Sequence, residues 1–174
     1  MTNSGYTIGL DAIIEEFHLE TCYRATNTEN VVIVNSEVNR PGMQIVGFYD
    51  YFEPRRLQIF GKAEMMFLQA MSEEERREVF EHFLRCEIPA LIISRNMEVF
   101  PELLELAEKH GRTLLRTPMQ TVDVSSNVID YLNRALAPQI VRHGVLMNIY
   151  GQGVLMLGDS GIGKSETAIE LIKR

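Results

Sequence analysis

The chain has 174 residues, 45% of them apolar, with a formal net charge of −7 and a pI near 5.2. That length suits one domain and part of another, and the acidic balance argues against a nucleic-acid surface, which needs a basic patch. No apolar run approaches the ~20 residues of a membrane helix, and residues 1–6 lack the basic and apolar regions of a signal peptide. Cys22 and Cys86 match no metal spacing and read as reduced thiols, so a cytoplasmic protein is expected, without membrane or nucleic-acid partners.

Residues 8–17 read as a short helix, with Ile8, Ile13, Ile14 and Phe17 among acidic neighbours. Residues 19–24 suit a strand, and the β-branched run 31–34 suits a buried one. Asn39-Arg40-Pro41-Gly42 signals a turn. Residues 44–48 and 57–60 are further strand candidates. The aromatic stretch 48–52 reads first as core or interface packing and second as a ligand contact.

Residues 62–71 are expected to be helical after Gly61. Ser72 and Glu75 form a capping box for the next helix, which turns Val79, Phe80, Phe83 and Leu84 inward. Residues 88–93 form a strand with Pro89 near its start, where a missing donor is tolerated. Pro101 opens a helix and Gly111 ends it; 113–116 is the following strand. Strand, helix and strand make a βαβ unit and hence a parallel pair in an α/β layer. Ser125 or Ser126 is expected to cap a helix with Val128, Ile129, Leu132 and Leu136 inward, stopped by Pro138 and joining two units.

Residues 141–150 and 154–157 are apolar runs separated by Gly151-Gln152-Gly153, a hairpin pattern. Then come Gly158, Asp159, Ser160, Gly161, Ile162, Gly163, Lys164 and Ser165, which fit the phosphate-cradling P-loop. The glycines let backbone amides approach a phosphate. The helix that follows, 166–174 with Ala168, Ile169 and Ile172 on one face, aims its N-terminal dipole at the anion. Lys164 would place a charge on the β- and γ-phosphates, and the Ser165 hydroxyl would ligate Mg²⁺. The bland alternative is a glycine-rich turn that binds nothing. A strand paired antiparallel just ahead of the loop departs from the usual doubly wound arrangement. The sequence ends at Arg174, about ten residues past Lys164, so the acidic partner of a Mg²⁺ site lies outside it. Either the chain is a fragment or the loop is a relic.

Ala137-Pro138, the stretch from His143 through Ala168, residues 39–52 and residues 88–93 together resemble the HPr kinase/phosphorylase family, along nearly the whole chain. The resemblance implies a Mur-ligase-like α/β domain over 1–132. Over 133–174 it implies the start of a kinase domain similar to phosphoenolpyruvate carboxykinase. It implies phosphorylation of a serine of the phosphocarrier HPr from ATP or pyrophosphate, and phosphorolysis of that phosphoserine, in carbon catabolite repression. It implies a homohexamer built largely through kinase domains. Gly158 to Ser165 match the family's nucleotide site, and His143 its active-site histidine. An imidazole there could donate to a phosphate or bias a neighbouring carboxylate, although a lone histidine at a strand start is more often structural. His18, His82 and His110 have no such match.

The family's general-base aspartate, a Mg²⁺-binding glutamate and a catalytic arginine fall beyond residue 174. No aspartate of the chain stands at the matching place: Asp159 is inside the loop, and Asp123 and Asp130 precede it. The 174 residues alone are therefore expected not to transfer phosphate. Two other readings stay open: a non-catalytic regulatory or assembly module, and another P-loop NTPase with a different acceptor.

Overall fold

Burial on both faces sets the centre of the structure. In the computed structural model, which describes residues 6–138 and 141–173, the strands β5 (Leu57–Phe60), β6 (Ala90–Ile93) and β7 (Thr113–Arg116) are short runs, apolar except for Gln58, Thr113 and Arg116, and almost wholly out of water. Such runs, lacking polar alternation, are what parallel strands covered on both sides require. They lie in a five-stranded sheet of order β2-β7-β6-β5-β4, with β2 at Glu20–Tyr23 and β4 at Val38–Asn39. β4, β5, β6 and β7 are parallel, and β2 joins β7 antiparallel. The expected βαβ unit is β6, α5 (Pro101–His110) and β7.

The period of two along each strand feeds two cores. Phe60, Leu91, Ile93 and Leu114 face α3 (Lys62–Gln69), α4 (Glu73–Arg85) and α5. Leu57, Ile59, Ala90, Ile92 and Leu115 face α1 (Leu10–Glu16) and α6 (Thr121–Ala135). Contacts divide the chain into Met1–Ala137, a mixed α/β unit, and Pro138–Arg174.

The helix boundaries follow local chemistry. Glu75 donates its N–H to Ser72 Oγ at 3.3 Å, and Glu75 Oε2 accepts the Ser72 N–H at 2.8 Å, the reciprocal capping expected. Pro101 opens α5, and Gly111, at φ 62°, closes it in the left-handed region. Arg76 joins three elements. It pairs with the buried Glu102 at the start of α5, donates to Met71 O at 2.8 Å, and lies 4.9 Å from the Phe100 ring centre.

Four expectations are corrected. Residues 44–48 are no strand: α2 (Gly42–Ile45) is a single turn after Pro41, with Gln44 buried and its Nε2 donating to Phe48 O at 3.0 Å. That local bond satisfies the turn in place of a sheet ladder. The run 31–34 supplies only β3 (Val32–Ile33), which pairs with β1 (Ile8–Gly9) in a separate two-stranded ladder. Only Ile33 is buried there, while Val32 and Val34 face water. Neither Ser125 nor Ser126 is a cap, because α6 starts at Thr121 and Ser125 Oγ donates back to Thr121 O at 2.6 Å. Nor is α6 a joining helix: Val124, Val128 and Leu132 are fully buried against the sheet of the first unit, with Ile129 and Leu136 only half-buried.

The aromatic stretch divides. Phe52 lies 5.9 Å from Phe83, and Tyr49 stacks on His82 at 4.2 Å, with burial pushing its hydroxyl up to about 12. Tyr51 is 98% exposed. Packing therefore accounts for Tyr49 and Phe52. Cys22 and Cys86 are free, half-buried thiols, and burial raises both, which makes them poor nucleophiles.

Two predictions test this unit. Arg76→Leu strands the Glu102 carboxylate in the core and costs about 3–5 kcal/mol, and adding Glu102→Gln recovers most of it. Urea unfolding reads both, and a loss below about 1 kcal/mol for Arg76→Leu would contradict the buried pair. The second concerns Glu81, which His110, then Lys109, hold down to about 2 from the ordinary 4.5. A depressed carboxylate stabilises fully above its unfolded value and loses that as pH falls through its folded one. Glu81→Gln therefore lowers the thermal midpoint above about pH 4.5, and the difference closes towards pH 2. A gap that persists at pH 2 would remove the ionic cause.

Candidate functional site

The second unit is a hairpin, a loop and a helix. β8 (Gly144–Ile149) and β9 (Gln152–Leu157) pair antiparallel from Ile149↔Gln152 to Gly144↔Leu157. The turn is two residues, Tyr150 and Gly151, at φ 52° and 83°; the expected three-residue tip is shorter because Gln152 and Gly153 already belong to β9. Two successive positive angles match the right-handed twist of a hairpin. Asn148 Oδ1 accepts the Gly151 N–H at 2.8 Å, which holds the turn. Met147 of β8 and Ala168 of the following helix are the buried apolar side chains of this unit among the described residues.

The helix is α7 (Lys164–Lys173). Arg174, the last position of the expected helix, lies outside the described residues. Gly163 O accepts both the N–H of Thr167 at 3.0 Å and its hydroxyl at 2.9 Å, so the helix is nucleated directly on the loop. Gly161 and Gly163 take φ 85° and 86°, a region costly for other residues. Ala168 alone of the expected apolar face is buried, while Ile169 and Ile172 are exposed.

Pairing in the hairpin decides what stands beside the loop. The ladder ends at Gly144↔Leu157, so Arg142 and His143 run directly into β8 while Gly158 and Asp159 run directly out of β9. Both ends line one cleft of about 850 Å³, whose walls include Arg142, His143, Gly158, Asp159, Ser160, Gly161, Gly163, Lys164, Ser165 and Glu166. Of the expected loop residues only Ile162 is not in the wall; it is exposed and lies over Gly158, where a Cβ would overlap it. Lys164 Nζ donates to Gly158 O at 2.7 Å and also to Asp159 O. The ammonium thus ties the loop onto itself with two of its three donors, leaving one for an incoming anion.

Chemically, the cleft offers glycine-loop amides, a helix N-terminus, one lysine, one arginine, one imidazole and two hydroxyls. These suit an anion of phosphate type. Ser165 has the hydroxyl that could hold a cation, but among the described residues no three His, Cys, Asp or Glu side chains gather as a metal site. Among them, also, no helix is long and apolar enough to cross a membrane. Sequence reasoning did not single out Arg142 or Glu166. Glu166 follows Ser165 directly, and Arg142 could have been found by extending the strand register one residue past His143.

A mixed α/β unit followed by a hairpin, a P-loop and a helix defines the class of this protein. The family descriptions "HPr Serine kinase N terminus" and "HPr Serine kinase C-terminal domain" match residues 8–132 and 134–174. The chain belongs to the HPr serine kinase family. It is 46% identical over 162 residues to a protein of Caldicellulosiruptor bescii named HPr kinase/phosphorylase, covering 93% of this chain and 52% of that protein. It is 46% identical over 167 residues to one so named from Clostridium perfringens strain SM101, covering 96% and 54%. The chain thus spans about half the length of these relatives. Among solved structures it is similar to the CBS and DRTGG domains of the regulatory region of Clostridium perfringens pyrophosphatase, complexed with an activator, diadenosine tetraphosphate. The TM-score is 0.49 and the identity 19%, over 70% of this chain and 45% of that one.

The loop geometry predicts that Gly163→Ala, forced to φ 86°, costs about 1–2 kcal/mol. Amide exchange along α7 then speeds up by roughly tenfold. Unchanged exchange would show that the helix does not start from this turn.

Proposed function

We propose that the protein is a kinase and phosphorylase of HPr: it phosphorylates a serine of that phosphocarrier with ATP or pyrophosphate and removes the phosphate by phosphorolysis, in carbon catabolite repression. The observation that carries the reading is the cleft, where His143 and the P-loop share one wall system in a chain of the HPr serine kinase family.

Residues 1–132 act as a Mur-ligase-like domain, and 133–174 begin a kinase domain of phosphoenolpyruvate-carboxykinase type. Gly158, Asp159, Ser160, Gly161, Ile162 and Gly163 shape the backbone that receives the phosphates. Lys164 exchanges its two carbonyl partners for phosphate oxygens, which removes a self-contained charge and places it on the anion. The Ser165 hydroxyl would hold Mg²⁺, which when bound would supply neutralisation of phosphate charge. His143, in the cleft wall with Gly158, donates a hydrogen bond to the transferring phosphate or biases a carboxylate beside it. The working protein is cytoplasmic and assembles as a homohexamer.

The test is transfer of phosphate from Mg-ATP to HPr by the full gene product. Lys164→Ala is expected to lower it by roughly a hundredfold or more, the scale for losing a preorganised charge. Transfer that survives this substitution would overturn the role of the loop. Turnover of ATP without transfer to HPr would move the protein to another acceptor. Absence of any nucleotide effect on thermal stability would favour a regulatory or assembly module.

A further inference from the structure

The charges of the cleft do not balance in favour of an anion without a residue that lies outside the P-loop motif. Two cations, Arg142 and Lys164, and two carboxylates, Asp159 and Glu166, line it. Lys164 is held by the loop carbonyls. Remove Arg142 and the two carboxylates outnumber the one remaining cation of the wall. A helix N-terminus supplies only about half a charge, too little to offset that alone for a polyphosphate.

Arg142 is exposed, and among the described residues no carboxylate is recorded within ion-pairing distance of it. It precedes β8 by two residues and lines the cleft from the hairpin side, in the same wall as Asp159. Neither Asp159 nor Glu166 has captured it, so its guanidinium is available to a ligand. A planar fork of donors fits two oxygens of one phosphate group.

We propose that Arg142 is an anion-binding residue of this cleft. Its guanidinium receives a phosphate group of a di- or triphosphate that lies outside the ring of loop amides. The assignment rests on the P-loop reading above, and it adds what the motif leaves open: a second phosphate contact, on the hairpin, that distinguishes a diphosphate from a single phosphate. Arg142 also gives the incoming anion a second cation beside Lys164.

The experiment measures binding of pyrophosphate and of inorganic phosphate, each with Mg²⁺, to the full-length protein by calorimetry at several salt concentrations. Arg142→Ala, Arg142→Lys and Lys164→Ala are compared with the unsubstituted protein, and melting curves check that each is folded. Arg142→Ala is expected to weaken pyrophosphate about tenfold, the scale of one charge-assisted contact, and to flatten its salt dependence. Inorganic phosphate should weaken by less than about threefold, since one group fits within the loop. Arg142→Lys should recover part of the loss, a point charge replacing a fork.

Equal weakening of both ligands would overturn the proposal, because it would mark a general field effect. Unchanged pyrophosphate binding in Arg142→Ala, with binding lost in Lys164→Ala, would overturn it while leaving the proposed function standing. Failure of the unsubstituted protein to bind either ligand would overturn both.

Discussion

The pairing of Gly144 with Leu157 governs the second unit. Everything that faces the phosphate loop from the hairpin does so because this pair places the residues before β8 level with the residues after β9. Antiparallel partners sit about 4.5–5.5 Å apart, so the loop and the hairpin start share a cleft without any long-range fold to bring them together. The register is anchored at the other end by a two-residue turn with Asn148 bonded to Gly151. A slip by one residue would exchange the faces of every side chain in the hairpin and move His143 away from Gly158.

The first unit is held by a different means. Its sheet is covered on both sides, and alternate residues of β5, β6 and β7 feed separate cores. Such strands have no solvent face to fix their register by polarity, so the helices decide it. Arg76 shows how closely they are tied. One guanidinium meets the end of α3, the start of α5 and the Phe100 ring, and a buried carboxylate depends on it.

Where local chemistry governs, the sequence was readable. The Ser72–Glu75 capping box, Pro101 at the start of α5 and Gly111 at its end are short-range devices, and each stands where its residues dictate. Readings that rested on composition fared worse. Gln44 to Phe48 resembles a strand by content, yet Gln44 closes a turn through its own side chain. Val31 to Val34 resembles a core strand, yet among the described residues its strand partner is the two residues of β1. Ser125 resembles a cap, but Thr121, buried beside Ser94 with hydroxyls 2.8 Å apart, starts the helix sooner. At Gln44 a local side-chain bond, and in the other two cases a tertiary neighbour, outcompeted a weak propensity.

By itself the sequence determined the loop, because phosphate cradling requires glycines, lysine and serine at set spacing, and it determined the family, because long stretches on both sides carry the match. It also determined the hairpin ahead of the loop. Only the tertiary structure decided that Lys164 rests on the carbonyls of Gly158 and Asp159, and that Arg142 and Glu166 complete the cleft wall. The reason is physical: spacing along a chain specifies backbone angles and local donors. Which charges meet across a cleft depends on strand register and side-chain partners, and these exist only once the chain has folded.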